Sequence, residues 1–219
     1  MNVTALASLC ASVFFFVCFL LFSCFNYKAK FRSNYDIRNH FPYELNYELR
    51  FADNLFGNIA LVLSLIGSVF FFIFFSPDKS NGLLIFTLIS GVIVAFDVGL
   101  IIFVPIKYLR AHMALDVFLF TFGFLIPCAG GVAGLLAYNS DAKLPHLVMA
   151  ILLLIDAFIQ FIVIMNPKLT RMNKMSQVTS DDGTITYIRP KYYVLAFSEW
   201  LLIFIYFISQ ILLMILLSF

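Results

Sequence analysis

Long unbroken runs of apolar residues alternate with short polar segments along the whole chain. A transmembrane α-helix needs about 20 consecutive apolar residues to cross roughly 30 Å of hydrocarbon. Six runs meet that length, and most of the charged residues lie between them. We expect the first run to stay in the membrane as a helix, because it is longer than a signal peptide and no basic residue precedes it. The predicted spans cover residues 3–25, 52–75, 82–104, 113–138, 145–165 and 193–218.

Composition strengthens this interpretation. Of the 219 residues, 63% are hydrophobic and 12% are charged, whereas a soluble domain carries about 25% charged residues. Too few polar side chains are present to cover a soluble core, so the lipid bilayer is the expected partner. The net charge of +2 does not suggest a nucleic-acid partner, and the four cysteines form no metal-binding pair. We therefore predict an all-α integral membrane protein, with residues 1–219 forming a single polytopic domain in the cell membrane, and no cofactor.

The basic residues predict the orientation. Twelve of the 14 lysines and arginines lie in the first, third and fifth loops, and the second and fourth loops carry one each. Cytoplasmic loops carry an excess of lysine and arginine. The odd-numbered loops should therefore face the cytoplasm, which places both termini outside.

The first cytoplasmic loop, residues 27–50, combines aromatic and basic side chains. Aromatic side chains stand at four-residue spacing among lysines and arginines, at Tyr27, Phe31 and Tyr35, and Pro42 ends the segment. This pattern predicts an amphipathic segment lying on the inner leaflet. Docking of a membrane or cytoplasmic protein partner is the alternative interpretation.

The last cytoplasmic loop carries a turn signal. Asp182 and Gly183 stand between flanks rich in threonine and isoleucine, which predicts a short β-hairpin within residues 176–190. An isolated hairpin is marginally stable in water. We expect it to pack on the bilayer surface, on other loops or on a partner.

Four carboxylates lie inside the predicted spans: Asp97, Asp116, Asp156 and Glu199. A charge in the middle of a bilayer costs about 3 kcal/mol or more, so such residues usually face the bundle interior and mark a function. A rise of 1.5 Å per residue places all four in the cytoplasmic half of the membrane. All four are candidates for binding a proton or a cation. Asp97 and Asp156 are favoured as the binding pair, and the shallower Asp116 and Glu199 are expected to line the approach.

Other polar side chains share helix faces with these acids or line the same half of the bundle. Helical periodicity gives the cavity-lining candidates Gln160, Tyr206, Gln210, His112 and Asn58. One hypothesis is a cytoplasm-facing polar cavity for a proton, a metal cation or a cationic substrate, with the identity of any metal open. The other is that each acid is satisfied by a neighbouring helix and serves assembly only. For His112 and Asp116, one turn apart, a local hydrogen bond is the favoured interpretation.

The fourth span carries a predicted hinge. Pro127 removes one backbone hydrogen bond of the helix, and Gly130 and Gly134 allow another backbone to approach closely. The same helix face carries Asp116 toward its cytoplasmic end. This combination would suit a helix that moves.

Known catalytic signatures are missing from the sequence, which contains no H-E-x-x-H, G-x-S-x-G, P-loop or dinucleotide fingerprint. Catalysis is therefore not favoured. The leading hypothesis is a small membrane transporter, or the membrane subunit of one. The alternatives are a non-catalytic accessory or scaffold subunit that docks a partner through its basic loops, and a lipid-modifying enzyme.

Overall fold

Six long helices account for most of the computed structural model. The structure describes residues 2–47, 51–75, 81–105, 108–170, 176–179, 185–188 and 192–219. In chain order, the elements are α1 (Val3–Phe31), α2 (Glu44–Tyr47), a 3₁₀ turn (Phe51–Asn54), α3 (Leu55–Phe74), α4 (Gly82–Phe103), α5 (Leu109–Asp141), α6 (Leu144–Ile164), α7 (Pro167–Thr170), β1 (Ser176–Thr179), β2 (Ile185–Ile188) and α8 (Val194–Leu216).

The helices α1, α3, α4, α5, α6 and α8 are each long and apolar enough to cross a membrane. This confirms the six predicted spans and is what a multi-pass membrane protein requires. Two of them exceed the prediction: α1 continues to Phe31, and α5 has 33 residues, or about 50 Å. The orientation and the choice of the cell membrane stay predictions.

Helix α8 lies at the centre of the bundle and is the most buried of the six. It packs against α1, α5 and α6, while α1 packs mainly on α3 and α5 lies between α4 and α6. The α1–α3 contact is tight at Gly67, where an added Cβ would lie 2.8 Å from the backbone nitrogen of Ser12. Small residues thus bring two helix backbones together.

Helix α5 runs without interruption through Pro127. Gly130 faces the side chains of Leu213 and Leu153, and Gly134 faces Ala150. The two glycines therefore form the close packing surface of α5 against α6 and α8. Their role as a hinge stays a prediction.

The first loop differs from its predicted form. Residues 41–46 are all buried, and Phe41 and Leu45 are among the largest fully buried side chains of the described residues. The short helix α2 contacts α1 and α4. The predicted short helix on the leaflet is wrong as a separate element, because Tyr27 and Phe31 belong to α1. The apolar side chains of residues 41–46 pack into the helix bundle. We call residues 35–46 the aromatic plug.

The last long loop contains two paired strands. Residues of β1 and β2 pair antiparallel, with Ser176 opposite Ile188 and Thr179 opposite Ile185. The predicted turn at Asp182 and Gly183 lies outside the described residues. The hairpin turn therefore stays a prediction.

Candidate cation site

Three ionisable side chains meet inside the bundle at residues 112, 116 and 199. His112 and Asp116 are one turn apart on α5, so they share a face, and Glu199 faces them from α8. Their exposed fractions are 0%, 1% and 0%. One ligand atom from each residue lies within 4.8 Å of the others. We call these three residues the acidic cluster.

The end of α4 fixes the orientation of the imidazole ring. Val104 is extended because it precedes Pro105, and its carbonyl is one of those left unpaired where the helix ends. His112 Nδ1 lies 2.7 Å from the Val104 carbonyl oxygen. Since a carbonyl oxygen only accepts, Nδ1 carries the hydrogen. The other ring nitrogen, Nε2, then faces Glu199 Oε1 at 3.3 Å.

The acids of the cluster lack compensating donors. Among the described residues, neither oxygen of Asp116 has a hydrogen-bond partner, nor does Oε2 of Glu199. Asp97, on α4, lies close enough for its charge to interact with those of Asp116 and His112, and its Oδ2 is also without a partner in this part of the chain. No lysine or arginine in the described ranges forms an ion pair with the cluster. Buried charges of one sign need a positive partner to be stable.

The aromatic plug covers the cluster at the predicted cytoplasmic end. The rings of Phe41 and Tyr43 lie edge-on to the His112 imidazole, with centroid distances of 5.9 and 5.5 Å. Phe41 also contacts the Tyr193 ring at 5.0 Å. These rings leave the cluster buried, so the open cavity predicted at these residues is closed in this structure.

Hydrogen bonds hold the plug on α8. Trp200 Nε1 donates to the hydroxyl of Tyr35 at 2.9 Å and to the carbonyl of His40 at 3.1 Å. The Tyr35 hydroxyl in turn donates to the carbonyl of Phe41 at 2.7 Å. Burial raises the pKa of Tyr35 well above its usual value, while its bond from Trp200 acts in the opposite direction. The neutral phenol is thus the form that the closed plug holds.

The plug also contributes a carboxylate. Glu44 is buried, and its Oε2 accepts a hydrogen bond from the Phe41 backbone N–H at 2.8 Å. Its charge interacts with that of Glu199. Two carboxylates repel each other when both are ionised, so Glu44 adds to the negative charge beside Glu199, while the rings of the plug pack on the cluster.

The structure separates the other candidate residues from the cluster. Asp156 is buried but accepts from Ser209 Oγ at 2.5 Å, which joins α6 to α8. Gln160, one turn away, is buried with no partner for Nε2 among the described residues. Asn58 is buried on α3.

Tyr206 and Gln210 belong to a layer of hydrogen bonds farther along α8. The Tyr206 hydroxyl donates to the Gly91 carbonyl at 3.0 Å. Gln210 Nε2 donates to Ser68 Oγ at 3.3 Å, and that oxygen lies 2.6 Å from Ser12 Oγ. This layer connects α1, α3, α4 and α8.

Sequence reasoning identified the acids but assigned their partners incorrectly. The local bond between His112 and Asp116 is wrong, since His112 bonds to Val104 and faces Glu199, 87 residues away. The plug was missed, although Phe41, Pro42 and Tyr43 stand together in the sequence and Pro105 marks the end of α4. No protein-family model, curated protein or solved structure matches this chain. The geometry of the cluster is therefore the basis for inferring function.

Proposed function

We propose that this protein is a small multi-pass membrane transporter, or the membrane subunit of one, that binds a cation at the acidic cluster. The observation that carries the proposal is the set of buried carboxylates at Asp116, Glu199 and Asp97. Both oxygens of Asp116, Oε2 of Glu199 and Oδ2 of Asp97 have no hydrogen-bond partner in the described part of the chain. Enclosing such charges in an apolar bundle costs several kcal/mol per ion unless a positive group compensates them. A bound cation supplies that charge.

The way in which the cluster is closed supports transport over a static role. On the predicted cytoplasmic side it is covered by a loop, the aromatic plug, and the side-chain bonds from Trp200 and Tyr35 help to fix that loop. A loop can move away from the cluster while the long helices stay packed against one another. Displacement of the plug would expose the cluster to one side, as alternating access requires.

The layer of polar side chains beyond the cluster extends the polar route along α8. Glu199, Tyr206 and Gln210 fall on one stripe of α8, at helical spacing, and all three are buried. The stripe leads from the cluster toward the predicted outer side. The hydrogen bond between Ser209 and Asp156 lies beside this route, where α6 contacts α8.

Purified protein in liposomes tests the proposal. Proton, Na⁺, K⁺ and Mn²⁺ uptake would be followed separately, with empty liposomes as the background. We expect flux of at least one of these cations, and Asp116→Asn or Glu199→Gln should lower it by about tenfold or more, because each removes one charge that binds the ion.

The matched control is Asp53→Asn, an acid of the same type that is exposed and lies 3.9 Å from Lys30. It should keep the full flux. Absence of flux in the unmodified protein, or equal flux in all variants that elute as intact protein, would contradict the proposal.

A further inference from the structure

We infer that the cation of the acidic cluster is a divalent first-row transition metal, held by His112 Nε2 and by one carboxylate oxygen each of Asp116 and Glu199. The inference rests on the proposed function in that it names the ion for the same site. It adds a ligand set and a chemical class, which can be tested without measuring transport.

The imidazole of His112 is oriented as in a metal-binding histidine. A histidine that binds a metal through one nitrogen usually donates its other N–H to a carboxylate or a backbone carbonyl. His112 does this through Nδ1 to the Val104 carbonyl at 2.7 Å. Nε2 is thereby the nitrogen that faces the cluster, and in the neutral ring it carries the lone pair with which histidine binds a metal.

Several hydrogen-bond acceptors of the cluster face one small space. In the neutral ring, Nε2 of His112 is an acceptor, as are the oxygens of Asp116 and Glu199. Asp116 is 1% exposed, and both of its oxygens are without a partner among the described residues. A single proton joins two acceptors and leaves the third unpaired. A metal ion engages all three at once.

Distances and charge agree with a divalent ion. Two ligands of a tetrahedral ion with bonds of about 2.1 Å lie roughly 3.4 Å apart. The Nε2 to Oε1 separation is already 3.3 Å, and the cluster as a whole lies within 4.8 Å. Two carboxylates and a divalent ion sum to zero charge, which suits an apolar surrounding.

The ligand types favour a transition metal over magnesium or calcium. Imidazole nitrogen suits zinc, iron and similar ions, whereas magnesium and calcium prefer six or more oxygen ligands. The cluster offers one nitrogen and two carboxylates. Two protons arranged in a chain between the same three groups are the competing occupant.

Cobalt titration tests the assignment. The full chain would be stripped with a chelator in detergent, titrated with Co²⁺ and followed by visible absorption, with Zn²⁺ as competitor. We expect saturable binding of one ion per chain, with the visible absorption bands of Co²⁺ at a low coordination number. These bands should disappear when Zn²⁺ is added.

The variants separate the ligand role from a structural one. His112→Asn keeps a donor for the Val104 carbonyl but lacks Nε2, and Asp116→Asn changes one oxygen only. Each should lower Co²⁺ affinity by about tenfold or more, as loss of even an indirect metal contact does. His146→Ala and Asp53→Asn are the matched controls, since both residues lie outside the cluster and pair with other side chains, and they should keep the affinity.

The outcomes distinguish this inference from the proposed function. Saturable binding that His112→Asn weakens supports the inference even where liposomes show no flux of protons, Na⁺, K⁺ or Mn²⁺, in which case transport is contradicted. Proton or monovalent-ion flux without saturable Co²⁺ binding overturns the inference and leaves transport standing. Equal Co²⁺ affinity in His112→Asn, Asp116→Asn and the unmodified chain also overturns it.

Discussion

Removal of the Phe41 side chain is the most direct test of how the aromatic plug closes the cluster. Phe41 is 2% exposed and its ring contacts those of Tyr43, Tyr193 and His112. Truncation of a buried phenylalanine to alanine costs about 3–5 kcal/mol. Because these contacts belong to the plug, most of this loss should appear as easier opening of the plug.

The expected effect follows from the lower end of that range. A loss of about 3 kcal/mol raises the opening equilibrium by roughly 100-fold, since every 1.4 kcal/mol is a factor of ten. Opening breaks the bond from the Phe41 N–H to Glu44 and the bond from the Tyr193 N–H to the Arg38 carbonyl. In Phe41→Ala, hydrogen–deuterium exchange of these two amides should therefore accelerate by about 100-fold.

Phe25→Ala is the control, because it makes the same change at a side chain that is 72% exposed on α1. It should leave exchange in the plug unchanged. Unaltered exchange at residues 41 and 193 in Phe41→Ala would refute the claim that this ring holds the plug. Equal acceleration across α1 and α8 would show that the loss is global and would refute local opening.

Three further substitutions test the plug and the helix packing. Tyr35→Phe removes a partly buried hydroxyl donor and should weaken plug closure by about 0.5–1.5 kcal/mol, shifting the emission of Trp200, the chain's single tryptophan. Burial raises the pKa of Tyr35, so its contribution to plug closure is present below about pH 10 and is lost as pH rises through the raised value. The change in Trp200 emission at alkaline pH should therefore vanish in Tyr35→Phe. Gly67→Ala should lower stability by about 1–3 kcal/mol in thermal unfolding, because its Cβ meets the α1 backbone, whereas Gly82→Ala has no atom within 4 Å and should not. Ser68→Ala should cost about 0.6–1.7 kcal/mol in the same assay, because its hydroxyl connects α1, α3 and α8.

Contrary results have defined meanings. An unchanged alkaline emission shift in Tyr35→Phe would assign the titration to another group. Equal melting temperatures for Gly67→Ala and Gly82→Ala would contradict the close approach of α1 and α3. A Ser68→Ala variant as stable as the unmodified chain would show that the hydroxyl bonds in the middle layer carry no net energy.

The first loop shows where sequence reasoning failed. Aromatic side chains such as Phe41 and Tyr43 gain from leaving water in two ways, by entering the lipid interface or by entering a protein core. Both environments are apolar, so periodicity and composition cannot separate them. Only the space between α1, α4, α5 and α8 decides that the segment packs inside the bundle.

Sequence alone determined the six spans and singled out their carboxylates, because the length of an apolar run and the cost of a charge in hydrocarbon are local properties. The tertiary structure decided which acids meet. Asp116 joins Glu199 although they are far apart in sequence, while Asp156, which the sequence favoured over both of them as a binding residue, bonds to Ser209 elsewhere. Helix rotation and packing set these pairings, and they depend on side chains from every neighbouring helix at once.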